Sequence, residues 1–173
     1  MNRRALVFGA PLVLAGAAGL SFLAMLRGLE SGQFDPRSVG NPLLGKPVPG
    51  FALAGMGDAD LRGHGPTLLN FFASWCQPCA QEADVLLVAR QQGARLFGIA
   101  YKDKPAATAD FLARVGNPYV QQAADPQGLV GIDFGLTGVP ETFLVDNEGI
   151  VRWHQSGPIT TAMLDWLKPK LVS

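Results

Sequence analysis

Thr67-Leu68-Leu69-Asn70-Phe71-Phe72-Ala73-Ser74-Trp75-Cys76-Gln77-Pro78-Cys79 is the stretch that decides the architecture. Its first six residues follow Pro66 as a short apolar run with two aromatics, the signature of a buried strand. From Pro78 to Arg90 the spacing changes. Ala83, Leu86, Leu87 and Arg90 turn around one axis, and Gly93 is a helix stop. Two cysteines at a strand-to-helix junction form a redox arrangement. A cysteine attacks a disulfide only as a thiolate, and a helix start offers free amides and a dipole that stabilise that anion. Pro78 costs nothing in the first turn. Cys79, three residues on, shares the side of that turn occupied by Cys76. The expected roles are an exposed attacking Cys76 and a resolving Cys79. Trp75 would be an apolar shoulder on which a partner polypeptide rests.

Working outward, Arg95 to Tyr101 reads as a second strand and Lys104 to Val115 as a helix, with Pro105 in its first turn and Gly116 after it. Tyr119 to Ala123 reads as a short strand and Pro126 to Phe134 as a short helix. Thr142 to Asp146 and Ile150 to Gln155 are strands joined through Asn147-Glu148-Gly149. Thr160 to Val172 closes as a helix. Upstream, Val48 to Leu53 reads as an edge strand and Asp58 to Gly65 as turns. Alternating strands and helices followed by a hairpin predict an α/β fold: a central mixed sheet flanked by helices.

The 173 residues carry 14 basic and 14 acidic side chains, so no nucleic-acid partner is indicated. The two cysteines are the only ones in the chain. A bridge across two intervening residues closes too short a loop to serve stability. Zinc would need two further ligands, and His64 and His154 lie far apart in sequence; c-type haem attachment would need histidine where Ala80 stands. No cofactor is expected beyond the redox-active Cys76–Cys79 pair. Arg3 and Arg4 precede an apolar run from Ala5 to Leu26. As a helix it would span about 33 Å, against a hydrocarbon core of about 30 Å, whereas a signal-peptide core is shorter. Residues 1–27 are therefore expected to be an uncleaved membrane anchor. The positive flank would be cytoplasmic and the rest of the chain would lie outside. Residues 28–45, with their glycines and prolines, read as a linker, and 46–173 as the domain.

The sequence resembles the DsbE/CcmG family, the membrane-anchored thioredoxin-like proteins of cytochrome c maturation. The resemblance rests on the CxxC stretch and on Gly45-Lys46-Pro47-Val48-Pro49, Tyr101-Lys102-Asp103, Gly116-Asn117-Pro118-Tyr119 and Gly138-Val139-Pro140-Glu141-Thr142-Phe143-Leu144-Val145-Asp146. It implies a thioredoxin fold with a strand–helix insertion at about 117–135. It implies a reductant in the bacterial periplasm, tethered to the inner membrane. Its partners would be apocytochrome c, or a maturation thiol protein, and a membrane reductase of the DsbD or CcdA type. It further implies that Val139-Pro140 is a cis-proline turn facing the CxxC and binding the partner backbone. Acidic Glu82 and Glu141 would lie near the redox centre, tuning it or relaying a proton. Ordinary thioredoxins carry a buried aspartate where Asn70 stands, and asparagine cannot relay a proton, so that task is expected to fall to Glu82 or Glu141. Many family members carry Pro-Thr between the cysteines; here Gln77-Pro78 stands there. The motif alone also fits a general periplasmic thiol reductase, or a tethered binding module with incidental cysteines. His64 and His154 read as surface or hairpin residues, Trp153 and Trp166 as packing. Tyr101-Lys102-Asp103 reads either as an active-site rim or as a strand end.

Overall fold

Six consecutive residues can all be buried only in a strand at the centre of a sheet covered on both faces, and Thr67–Phe72 occupies that place, its four large apolar side chains accompanied by buried Thr67 and Asn70. In the computed structural model, which describes residues 19–21 and 41–171, the chain divides into two units, Met1–Val39 and Gly40–Ser173. Residues 19–21 of the first are helical. The expected anchor otherwise falls outside the described residues, and no helix among those described is long and apolar enough to cross a membrane.

The second unit opens with β1 (Ala52–Leu53) and β2 (Met56–Gly57), an antiparallel pair, then a 3-10 turn at Asp58–Leu61. There follow β3 (Thr67–Phe72), α1 (Gln77–Gln91), β4 (Arg95–Tyr101), α2 (Pro105–Val115), β5 (Gln121–Asp125), α3 (Leu129–Asp133), β6 (Glu141–Val145), β7 (Val151–Ser156) and α4 (Thr161–Leu171). The main sheet runs β5-β4-β3-β6-β7. β3, β4 and β5 are parallel, while β6 is antiparallel to both β3 and β7. This is the thioredoxin-like α/β arrangement, with β5 and α3 inside the expected insertion.

The two faces of the sheet have different cores. Leu68, Phe72 and Leu144 point toward helices α1, α2 and α4, where they meet both cysteines, Leu86, Phe111 and Leu164. Leu69, Phe71, Phe143 and Val145 point the other way, toward Val48, Phe51, Met56 and Leu61 and toward α3. There the rings of Phe71, Phe134 and Phe143 meet at centroid distances of 5.1 to 5.8 Å, each contact adding about 0.5–1.5 kcal/mol beyond burial.

Three local expectations change. The strand expected over Val48 to Leu53 shrinks to β1 and an isolated Pro47–Ile150 bridge, because Pro47 and Pro49 have no N–H for a ladder. The strand expected from Tyr119 begins two residues later, because the Tyr119 ring is drawn into the core to stack on Phe72. The end of the expected linker is folded: Asn41 donates through Nδ2 to the Phe134 carbonyl at 2.9 Å, and the Gly45 amide to Val151 at 2.8 Å.

Candidate functional site

Cys76 is the N-cap of α1. Its Sγ accepts a hydrogen bond from the Cys79 amide at 3.1 Å, so a free first-turn N–H is aimed at the sulfur that would carry negative charge. Cys76 and Cys79 are joined as a disulfide. Cys76 is only 5 % exposed, which corrects the expectation of an open nucleophile. The accessible feature is Trp75, 60 % exposed. Opposite the pair, the Val139–Pro140 peptide bond is cis, and the Val139 carbonyl oxygen lies 3.4 Å from Cys76 Sγ. Cys76, Cys79, Val139 and Pro140 thus lie together, with Trp75 exposed beside them.

Glu82 occupies the buried stripe of α1 with Cys79, Ala83, Leu86 and Ala89. A carboxylate there needs donors, and it has two. Asn70 Nδ2 donates to Oε1 at 3.0 Å and the Ile159 amide to Oε2 at 2.8 Å. These do not offset its burial, which pushes the pKa up to about 7. Asn70 also donates to Thr142 Oγ1 at 2.9 Å and accepts from the Tyr119 hydroxyl at 2.7 Å. Tyr119 can reach it because Gly98, beside Asn70 in the ladder, has no Cβ; one would lie 2.7 Å from the tyrosine ring. Burial and the Glu82 charge hold the Tyr119 hydroxyl well above its ordinary pKa.

Glu141 is not brought to Glu82. Along β6, Thr142 and Leu144 face α1 and α4, whereas Glu141 alternates with them and faces the Phe143 side. Its Oε1 accepts from the Thr137 amide and hydroxyl, both at 2.7 Å, and from the Gly138 amide at 3.1 Å. Its Oε2 pairs with His154 Nε2 at 2.6 Å. Burial opposes the charge, but these donors and His154 outweigh it and hold the carboxyl below its usual range. Glu141 therefore braces the loop that presents Val139 and Pro140. His154, expected on the surface or in the hairpin, lies in the hairpin strand β7, half-buried in this bracket with its ring tilted against Phe143 at 4.5 Å.

The sequence matches the Redoxin family model over residues 44–166. It is 40 % identical to the thiol:disulfide interchange protein HelX of Rhodobacter capsulatus over 161 residues, covering 90 % of this chain and 88 % of that protein. Against the thiol:disulfide interchange protein DsbE of Escherichia coli it is 37 % identical over 166 residues, covering 92 % of this chain and 88 % of the other. The chain belongs to the DsbE/HelX family of thiol:disulfide interchange proteins. Among solved structures, a DsbE from Chlorobium tepidum superposes with a TM-score of 0.62 at 28 % identity, over 75 % of this chain and 95 % of that one. As a DsbE/HelX protein it is a thiol–disulfide oxidoreductase acting through a CxxC centre.

Proposed function

We propose that this chain reduces cysteine pairs destined for haem attachment, and that the Cys76–Cys79 pair performs the exchange with no further cofactor. The observation that carries the reading is the seating of Cys76 between a helix N-terminus and the Val139 carbonyl, with Trp75 exposed beside it. The Cys76 thiol gives its proton to solvent, and the thiolate attacks one sulfur of the partner's disulfide, forming a mixed disulfide and releasing the other partner sulfur as a thiolate, which takes up a proton. Cys79 then loses its proton and attacks Cys76 Sγ, so the second partner sulfur leaves and is protonated. The pair loses two electrons and two protons; the partner gains both. Glu82, one turn from Cys79 and titrating near 7, is the group to receive the Cys79 proton. Glu141 acts instead by holding the partner-binding loop.

In this reading residues 1–27 anchor the chain in a bacterial inner membrane, with the positive flank cytoplasmic and the domain in the periplasm. A membrane reductase of the DsbD or CcdA type re-reduces the pair. The partner is apocytochrome c or a thiol protein that handles it, and no nucleic acid takes part. A Cys79→Ser variant tests this by stalling the mixed disulfide on Cys76. Mass spectrometry of the trapped species is expected to find apocytochromes or their maturation thiol proteins. A broad set of unrelated periplasmic proteins would instead make the chain a general thiol reductase.

A further inference from the structure

The Tyr101-Lys102-Asp103 turn takes no part in the exchange, yet it converges on the residues just before Cys76. Asp103 is 7 % exposed. Its Oδ2 accepts from the Ser74 amide at 2.6 Å and the Thr108 hydroxyl at 3.0 Å. Its Oδ1 accepts from the Ser74 hydroxyl and the Lys104 amide, both at 2.8 Å. The loop carrying Trp75 is thus tied down from behind at Ser74. From the side, the Trp75 indole N–H donates to the Lys102 carbonyl at 3.4 Å.

Lys102 is the only described residue besides glycines with positive φ, at 49°, a left-handed conformation unfavourable for a residue with a side chain. Its amide donates to the Asp125 carbonyl at 2.9 Å. The Asp125 carboxylate in turn accepts from the Leu129 and Gly131 amides at the start of α3, both at 3.0 Å. The insertion packs so closely that Cβ atoms on Gly128 and Gly131 would run into Lys102 and Tyr101. The kink at Lys102 is therefore held from both sides.

We propose that Asp103 is a positioning residue that, together with Lys102, fixes the pose of Trp75 and so sets how well polypeptide disulfides dock on Cys76. The proposal rests on Cys76–Cys79 as the exchange centre and on Trp75 as the partner's shoulder, and is independent of the direction of electron flow. An exposed aromatic whose backbone and N–H are already fixed offers its face without an ordering cost when the partner arrives. A small disulfide has no chain to rest there and gains nothing. The site also requires a carboxylate. Each oxygen accepts one backbone N–H and one hydroxyl. The amide group of an asparagine would face either the Ser74 or the Lys104 N–H, and neither can turn away.

The test uses the reduced full chain and two oxidants: an oxidised peptide containing Cys-Ala-Ala-Cys-His, and bis(2-hydroxyethyl) disulfide. Acid quenching, alkylation and mass measurement give both rates. Asp103→Asn is expected to lower the peptide rate about tenfold relative to the small-disulfide rate, through a higher half-saturating peptide concentration. In a Trp75→Ala background that selective loss should vanish, since the two residues act as one unit. Equal losses on both disulfides, or the same selective loss with and without Trp75, would overturn the proposal. If Asp103→Asn does not fold, Ser74→Ala takes its place in the same cycle. That variant removes one hydroxyl bond to Asp103, and about a threefold selective loss is expected; its absence overturns the proposal equally. A wild-type chain that reacts with neither disulfide would sink the exchange reading itself, and this proposal with it.

Discussion

Glu82 and Glu141 are both buried, 1 % and 0 % exposed, and both stand close in sequence to the redox residues, yet they titrate in opposite directions. Glu82 lies under the helices and receives two N–H donors, so desolvation prevails and its proton is held up to about pH 7. Glu141 lies across the sheet and receives three donors on one oxygen and a histidine on the other, so the ionised form prevails. Burial alone does not settle the charge of a carboxylate; its depth, the donors aimed at it and the His154 partner act together. The first can take a proton during exchange. The second, ionised, acts as a rivet.

Removing the rivet should have the largest effect. Glu141→Ala leaves the Thr137 and Gly138 amides without an acceptor and His154 without its partner, a loss of about 4 kcal/mol in unfolding free energy at pH 7. Glu141→Gln should cost far less, because its amide oxygen can accept the Thr137 and Gly138 bonds while its NH2 stands against His154 Nε2. Urea unfolding of both variants checks the pair. If Glu141→Ala is as stable as Glu141→Gln, Glu141 is not a brace and the contrast between the two glutamates collapses.

The next effect is a pH slope. Glu82 binds its proton more tightly folded than unfolded, so its contribution to stability is complete below about pH 4.5 and is lost as pH rises to about 7. The gap between 4.5 and about 7 corresponds to about 3 kcal/mol. Glu141 slopes the other way: its contribution is present above the ordinary carboxylate value and is lost as pH falls through its lower folded value. Asp103 and Asp146 share that acid-side behaviour. Subtracting the Glu82→Gln unfolding curve from wild type at each pH should therefore isolate a decline between pH 4.5 and 7. The same subtraction with Glu141→Gln should show a rise confined to lower pH. A flat Glu82 difference would mean that the carboxylate is ionised throughout and unsuited to receive the Cys79 proton.

These two carboxylates also mark where the sequence was readable. β3 and β4 appear with the bounds expected for them, because a mainly apolar run beginning after Pro66 or after the Gly93 stop leaves little freedom. Glu82 was named by the family resemblance, and its spacing of three from Cys79 puts the two on one buried stripe of α1. The family resemblance placed Glu141 near the redox centre with Glu82; a strand sends neighbouring side chains to opposite faces, so Glu141 faces away from Glu82 and holds the Thr137–Gly138 loop instead. His154 could not be found without the register that sets it opposite Phe143, next to an irregularity between Leu144 and Val145. The grip of Asp103 on Ser74 spans 29 residues and follows from the parallel β3–β4 pairing, which composition does not encode.

The smallest expected effect separates the donor count from the polar network around Asn70. Tyr119→Phe removes one hydroxyl donor from Asn70 Oδ1 and leaves the ring stacked on Phe72, a loss of about 1 kcal/mol. The Tyr119 hydroxyl stays neutral far above the range in which Glu82 titrates, so it adds no slope of its own. Glu82 owes its raised value first to burial, and its two donors, Asn70 and the Ile159 amide, remain in the variant. The decline between pH 4.5 and 7 should therefore survive at nearly full size on a uniformly lower curve, measured by urea unfolding at pH 5 and pH 8. A slope that disappears with the tyrosine would place control of the Glu82 proton in the Tyr119–Asn70 chain. The difference between the two glutamates would then come from orientation of a shared amide rather than from how many donors each carboxylate meets.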